Sequence, residues 1–236
     1  RSRGLGDVYK RQSKTSDVTG KRNAAINYLD INKKSVQDLF RAGEKSFTLQ
    51  LPFNIDNTIT LDLIETNIFT DDFSIINGQD QVISVSLGRH FQGKIRGSSK
   101  SYAAVSIFED QVFGLLSDQR GNYNLGKVKN SEVYAFYIAE EAGFDIKHEC
   151  HVKDTRPDFD IPFEQGLESR YAPTVNLFAE VDNDIVVGKG GVTAATNYVT
   201  AMYNQFIALY AQDGITFKLS QLKVWDTPSP YIISPG

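Results

Sequence analysis

The sequence predicts an α+β chain, in which an antiparallel β-rich domain is followed by the β-α-β start of a second, α/β sheet. Three observations carry this. Apolar residues alternate with period two from Lys45 to about Ile138, periodicity fails between Glu140 and Pro173, and residues 175 to 225 give a strand, a long amphipathic helix and another strand.

Taken in order, residues 1–12, "RSRGLGDVYKRQ", have neither apolar periodicity nor a capping pattern. They look like translated adapter sequence and are set aside in predicting the fold. They carry Arg1, Arg3, Lys10 and Arg11 against Asp7, so without them the net charge moves from -4 to -7. An acidic surface argues against nucleic acid as a partner. Residues from about Ala24 to Ala42, with Ala25, Tyr28, Leu29, Val36, Leu39 and Phe40, are expected to be helical in part.

The alternating sets are Phe47/Leu49/Leu51, Ile59/Leu61/Leu63, Ile83/Val85/Leu87, Ala103/Val105/Ile107 and Tyr134/Phe136/Ile138. Turn clusters such as Asn77-Gly78 and Asp118 to Asn122 separate them, as in a sandwich or open barrel with one apolar face per strand. Gly93 and Gly97 permit bends or close backbone approach, and Ala103 and Ala104 leave room for a facing strand. Beyond Ile138, charged residues interleave with Pro157 and Pro162, the pattern of a surface linker open to proteases.

Val175 to Asp182 is apolar enough for a buried strand. From Ala195 the positions Val199, Met202, Phe206 and Leu209 predict one helical face, Gly214 stops the helix, and Ile215, Phe217, Leu219 and, after a shift, Leu222, Val224 and Trp225 predict the next strand. A β-α-β start of this kind implies a larger sheet than 236 residues complete here. It should therefore expose a strand edge and an uncovered helix face, a recipe for stickiness or dimerisation.

With 41% hydrophobic and 23% charged residues, the chain can bury one good core or two small ones. It holds no run of about 18 apolar residues, so no membrane span is expected, and no leader is visible after the basic start. Its single cysteine excludes an internal disulfide.

The stretch "VNLFAEVDND…GGVTAATNYVTAMYNQFIALYAQDGITFKLSQLKVW" resembles the opening of the catalytic domain of reprolysin-type (adamalysin) zinc metalloproteases, within the metzincins. Upstream, "RHFQGKIRGSSKSYAAVSIFEDQVFGLLSDQRGNYNLGKV" resembles the reprolysin propeptide, where a Tyr/Phe-Gln-Gly strand precedes a Ser-Ala-Ala-x-Ser strand and a Gly-Leu-Leu/Ile strand. "FTLQLPFNIDNTITLDLIETNIFTDDFSI" is similar to that propeptide's opening hairpin. The resemblance implies a β-rich inhibitory propeptide at 13–150, an activation linker at 151–172 and the N-terminal part of a metzincin-like α/β catalytic domain at 173–236. It also implies a secreted parent endopeptidase that hydrolyses peptide bonds of peptide or protein substrates with a zinc-activated water and a glutamate base. The propeptide would pack on its own catalytic domain. The family's zinc motif, HExxHxxGxxH, is absent from the sequence, so no catalytic residue is named and the chain as it stands is expected to be inactive.

The resemblance places Cys150 between the two parts, where the family's propeptide cysteine, often in a Cys-Gly-Val context, fills the open position of the catalytic zinc; here the context is Cys150-His151-Val152. A buried or incidental thiol is the other reading. Metal binding by His148, Cys150 and His151 themselves lacks a fourth ligand. Arg156 and Arg170 are candidate activation cleavage positions. Glu180, Asp182 and Asp184 suit capping and solvation better than calcium, and Gly188-Lys189-Gly190-Gly191 is a lead into a helix rather than a phosphate loop. Tyr198, Met202, Tyr203, Phe206 and Tyr210 form a packing stripe, and His90 is a packed or half-exposed histidine with no carboxylate or serine at suggestive spacing. Two rivals stand beside the precursor reading: an autonomous extracellular β-sandwich binding module, and a propeptide acting in trans as chaperone or inhibitor.

Overall fold

The computed structural model describes residues 9–11, 25–53, 57–143 and 174–231. Ten strands and a helix come first: β1 (Tyr9–Arg11), β2 (Ile26–Ile31), α1 (Lys33–Ala42), β3 (Ser46–Pro52), β4 (Thr58–Glu65), β5 (Phe69–Asn77), β6 (Arg89–Ile95), β7 (Tyr102–Ile107), β8 (Val112–Asp118), β9 (Gly121–Lys127) and β10 (Val133–Ile138). Then follow β11 (Thr174–Val181), α2 (Asn183–Lys189), α3 (Val192–Tyr210), a short 3-10 turn and β12 (Thr216–Val224).

Nine strands make one antiparallel sheet in the order β1-β2-β10-β9-β8-β7-β6-β4-β3. The sheet curls, because Phe53 at the end of β3 meets the rings of Tyr123 on β9 and Phe136 on β10 at 5.4 and 5.7 Å. Its ends, β1 and β3, come back beside each other. The alternation read from the sequence fills the interior: Leu49, Leu51, Leu61, Leu63, Val105, Tyr134 and Phe136 are all buried, and each such side chain contributes about 1.5–3 kcal/mol of hydrophobic stabilisation. Helix α1 closes the core with Val36 and Leu39.

The stretch over 24–42, expected to be helical in part, is helical from Lys33 as α1 and extended before it as β2. Asn32 marks the boundary, its side chain accepting from the Ser35 amide as an N-cap, and Gly43 at φ +68 ends the helix in the left-handed conformation that an L side chain resists. Tyr9–Arg11, within the stretch set aside, adds a three-residue edge strand to β2.

The second sheet is parallel, in the order β11-β12-β5. The β-α-β start is present, with a register shift in β12 near Leu219 as expected, but its third strand comes from the first part of the chain. Strand β5 leaves the large sheet between β4 and β6, which are themselves neighbours, and pairs with the far side of β12. Ile83, Val85 and Leu87, expected as a strand, make none: they pack against the second core of Ile75, Ala179, Val181, Leu219, Leu222 and Val224, with Val82 bridging to Ile76. The far edge of β11 has no partner strand among the described residues, and Phe178 beside it is 52% exposed.

Helix α3 lies between the two sheets, and this corrects its expected face. Met202 and Leu209 are 47% and 45% exposed, whereas the buried positions are Ala195, Thr196, Asn197, Thr200, Ala201, Asn204, Ile207 and Ala208. Small and amide side chains allow close approach to a sheet. They set α3 against β7, whose Ala104 and Ser106 face away from the large core and are nevertheless buried. Ala103 is in that core, so the room left by Ala104 admits a helix rather than the facing strand expected. Val199 and Tyr203 pack on the second core, and Phe206 and Tyr210 meet the ring of Phe217 at 4.9 and 5.2 Å. Met202 leaves the expected packing stripe because it lies over a groove.

Candidate functional site: the seam between the large sheet and α3

The seam is built by register. In the β6–β7 pair His90 stands opposite Ser106, and Gln92 opposite Ala104. Asn204, fully buried on α3, enters between the strands: its Nδ2 donates to the Phe91 and Val105 carbonyls at 3.3 Å and to Ser106 Oγ at 3.1 Å, and its Oδ1 accepts from Gln92 Nε2 at 3.1 Å. The two backbone acceptors assign the orientation of the amide.

Ser106 Oγ, already accepting from Asn204, lies 2.9 Å from His90 Nδ1 and is free to donate to it. That leaves the ring proton on Nε2, a buried atom with no hydrogen-bond partner, between the edges of Phe69 and Phe108 at centroid distances of 5.5 and 6.0 Å. Burial pushes the His90 pKa down to about 4, against a weaker upward pull from the Glu65 carboxylate. Arg89, assisted by Lys45, holds Glu65 in turn at about 2. With His90 3% and Ser106 1% exposed, the pair is shut off from solvent, and through Asn204 it holds α3 to the sheet. Thr196 Oγ1 and Asn197 Oδ1 of α3 are likewise buried without a partner, so the seam carries a polar cost that only a packed interface sustains.

Beside the seam, a groove of about 700 Å³ runs between α3 and β2, β8, β9 and β10, floored by Leu125, Ala135 and Tyr137 and overhung by Tyr198 and Met202. Lys189, at the end of α2, sets its Nζ 3.4 Å above the Tyr198 ring, and burial lowers its pKa, with Lys129 adding repulsion.

The Gly188-Lys189-Gly190-Gly191 run proves to be the end of one helix and the start of the next. Gly190 is the left-handed C-cap of α2 and Gly191 the N-cap of α3. Asp182 caps α2 by accepting from the Asn183 amide, the capping role expected of it. Glu180 accepts from Tyr231 Oη at 2.7 Å and Trp225 Nε1 at 2.8 Å, which lower its pKa.

Cys150, Arg156, Arg170, His148 and His151 lie outside the described residues. Among the described residues no three of His, Cys, Asp and Glu gather as a metal-holding group, so these side chains do not fit a zinc ion and no step through zinc is derived from them. His90 is packed, as one of the two expected readings had it, and although no serine stands at suggestive spacing in the sequence, strand register brings Ser106 to it. In the sequence Asn204 is one polar residue inside an apolar stripe and carries no signal of its own, yet the stretches that carry the propeptide resemblance, Phe91-Gln92-Gly93 and Ala103-Ala104-Val105-Ser106, are the ones that meet it. No family model and no curated protein matches the chain.

Asn204→Ala withdraws the donors from Ser106 and two strand carbonyls, leaves Gln92 without its acceptor and opens a small void. A loss of about 2 kcal/mol is expected, read as a lower urea midpoint at unchanged slope. A midpoint equal to that of the parent chain would remove the seam from the account.

Proposed function

We propose that the chain belongs to the precursor of a secreted reprolysin-like zinc metalloendopeptidase, with a β-rich inhibitory propeptide at 13–150 and the N-terminal part of the protease domain at 173–236. The observation that carries this is the way the two parts interpenetrate. The first part lends β5 to the sheet of β11 and β12, and its β6–β7 pair seats α3 through residues of the propeptide-like stretches. A shared core of this kind suits a propeptide that stays on its own protease, and it favours that reading. It speaks against an autonomous β-sandwich binding module, which would keep its strands for itself. The proposed parent is a hydrolase and zymogen whose zinc, peptide substrate and glutamate base belong to residues other than those described. Cys150 is proposed as the thiolate that fills the open zinc position, and Arg156 and Arg170 as activation sites.

The test is expression of the precursor with its HExxHxxGxxH segment. About one zinc per chain, peptide cleavage after propeptide removal, and earlier activity in C150A are expected. A gene with no zinc motif overturns the reading, and zinc-dependent cleavage by the purified 236-residue chain overturns the expectation that these residues alone are inactive.

A further inference from the structure

Strands β4 and β6 pair up to Glu65↔Phe91, so a turn of two to five residues would join them. The chain instead spends residues 66–88 on an arm that reaches the other sheet. Ile68 and Ile75 are buried, and Phe69, Phe73, Ile83, Val85 and Leu87 pack against Leu219, Leu222 and Val224. Strand β5 runs parallel to β12, from Phe69↔Leu219 to Asn77↔Val224. Polar contacts fix its end: Gln221 Nε2 donates to Ser74 Oγ at 3.0 Å, Lys223 Nζ pairs with Asp80 at 2.6 Å, the Gly78 amide donates to Asp226 Oδ1 at 3.1 Å and Gln79 Nε2 to Thr227 Oγ1 at 3.3 Å. Removing the arm would bare one edge of β12 and one side of a small core.

We infer that residues 66–88 are a donor strand and the outer edge of β12 its acceptor, so that a cut between residues 144 and 173 leaves the two halves bound as one complex. The acceptor takes one extended strand, parallel to β12, with apolar side chains at the positions of Phe69, Phe73 and Ile75. This deepens the propeptide reading, on which it rests only for its meaning: activation then needs β5 peeled from β12 as well as the linker cut.

The experiment places a single site for a sequence-specific protease within 144–173, cuts the folded chain and runs it on size exclusion at micromolar concentration. Co-elution of both pieces at the mass of the uncut chain is expected, and their separation overturns the inference. A second variant replaces residues 66–88 by an Asn-Gly turn; after cutting, its halves should associate about 100-fold more weakly. Unchanged association would assign the hold to α3 and sink the donor role. Should that variant not fold, a labelled peptide of residues 66–88 is offered to the cut wild-type complex in mild denaturant. Exchange into the complex, absent for a scrambled peptide, supports the inference, and no exchange overturns it. Separation of the halves would leave the endopeptidase reading intact, since that stands on zinc content and hydrolysis by the precursor.

Discussion

Gly93→Ala is expected to cost more than about 4 kcal/mol, enough to leave most of the chain unfolded. A Cβ at residue 93 would sit 1.9 Å from the Asp62 carbonyl oxygen, 2.9 Å from its carbon and 3.1 Å from Leu63 Cα. All three obstacles are backbone, so no rotamer change relieves them, and β6 would have to move off β4. Strand β6 also carries His90 and Gln92, so the shift would pull the seam apart together with the sheet. Gly97 offers the contrast: its φ is +83, but nothing lies within 4 Å of an added Cβ, so Gly97→Ala should cost only about 1 kcal/mol of backbone strain. Urea unfolding of the two variants checks the pair. A Gly93→Ala chain within about 0.5 kcal/mol of the parent would show that β4 and β6 are not packed as described.

That glycine was legible in the sequence as a place of close backbone approach, and so were β3, β4, β7 and β10, because each sets one face on a dry core. The pattern faded in β8, where Gly114 takes a core-facing position, and in β9, where only Tyr123 and Leu125 are apolar on the inward face. The length of α3 followed from local chemistry, as did Gly214, which caps the 3-10 turn after its last residue Tyr210, but its face did not. A helix buried against sheets on two sides has no single apolar stripe, and its tightest contact is made by alanine, threonine and asparagine. The parallel pairing of β5 with β12 joins residues some 150 positions apart, and no local period encodes such a partner. The same holds for His90 and Ser106, which become a pair only once two strands choose a register.

Acid should loosen this seam well before it unfolds an ordinary β protein. The folded pKa of His90 is about 4 and its unfolded value 6.5, so below 6.5 the unfolded chain binds the proton that the folded chain refuses. Stability is therefore full above about pH 7 and falls as pH drops through 6.5 towards 4, by roughly 2 kcal/mol at pH 5 and about 3 in total. Glu65 acts in a lower window: its folded pKa of about 2 against 4.5 gives stability present above 4.5 and lost as pH falls towards 2. A urea series from pH 8 to 3 separates the two. His90→Gln, which keeps a hydrogen-bonding side chain without a titrating ring, should flatten the curve between 6.5 and 4.5 and leave the steeper loss below it. If the wild-type curve is level from pH 7 to 5, His90 is not the neutral, buried pin described. If the slope is present and vanishes in His90→Gln, then charging one imidazole is enough to weaken the hold of the large sheet on α3, because the added proton lands on Nδ1, where the Ser106 hydroxyl must give up its own donation to accept it, and Phe69 and Phe108 offer the buried charge no hydrogen bond.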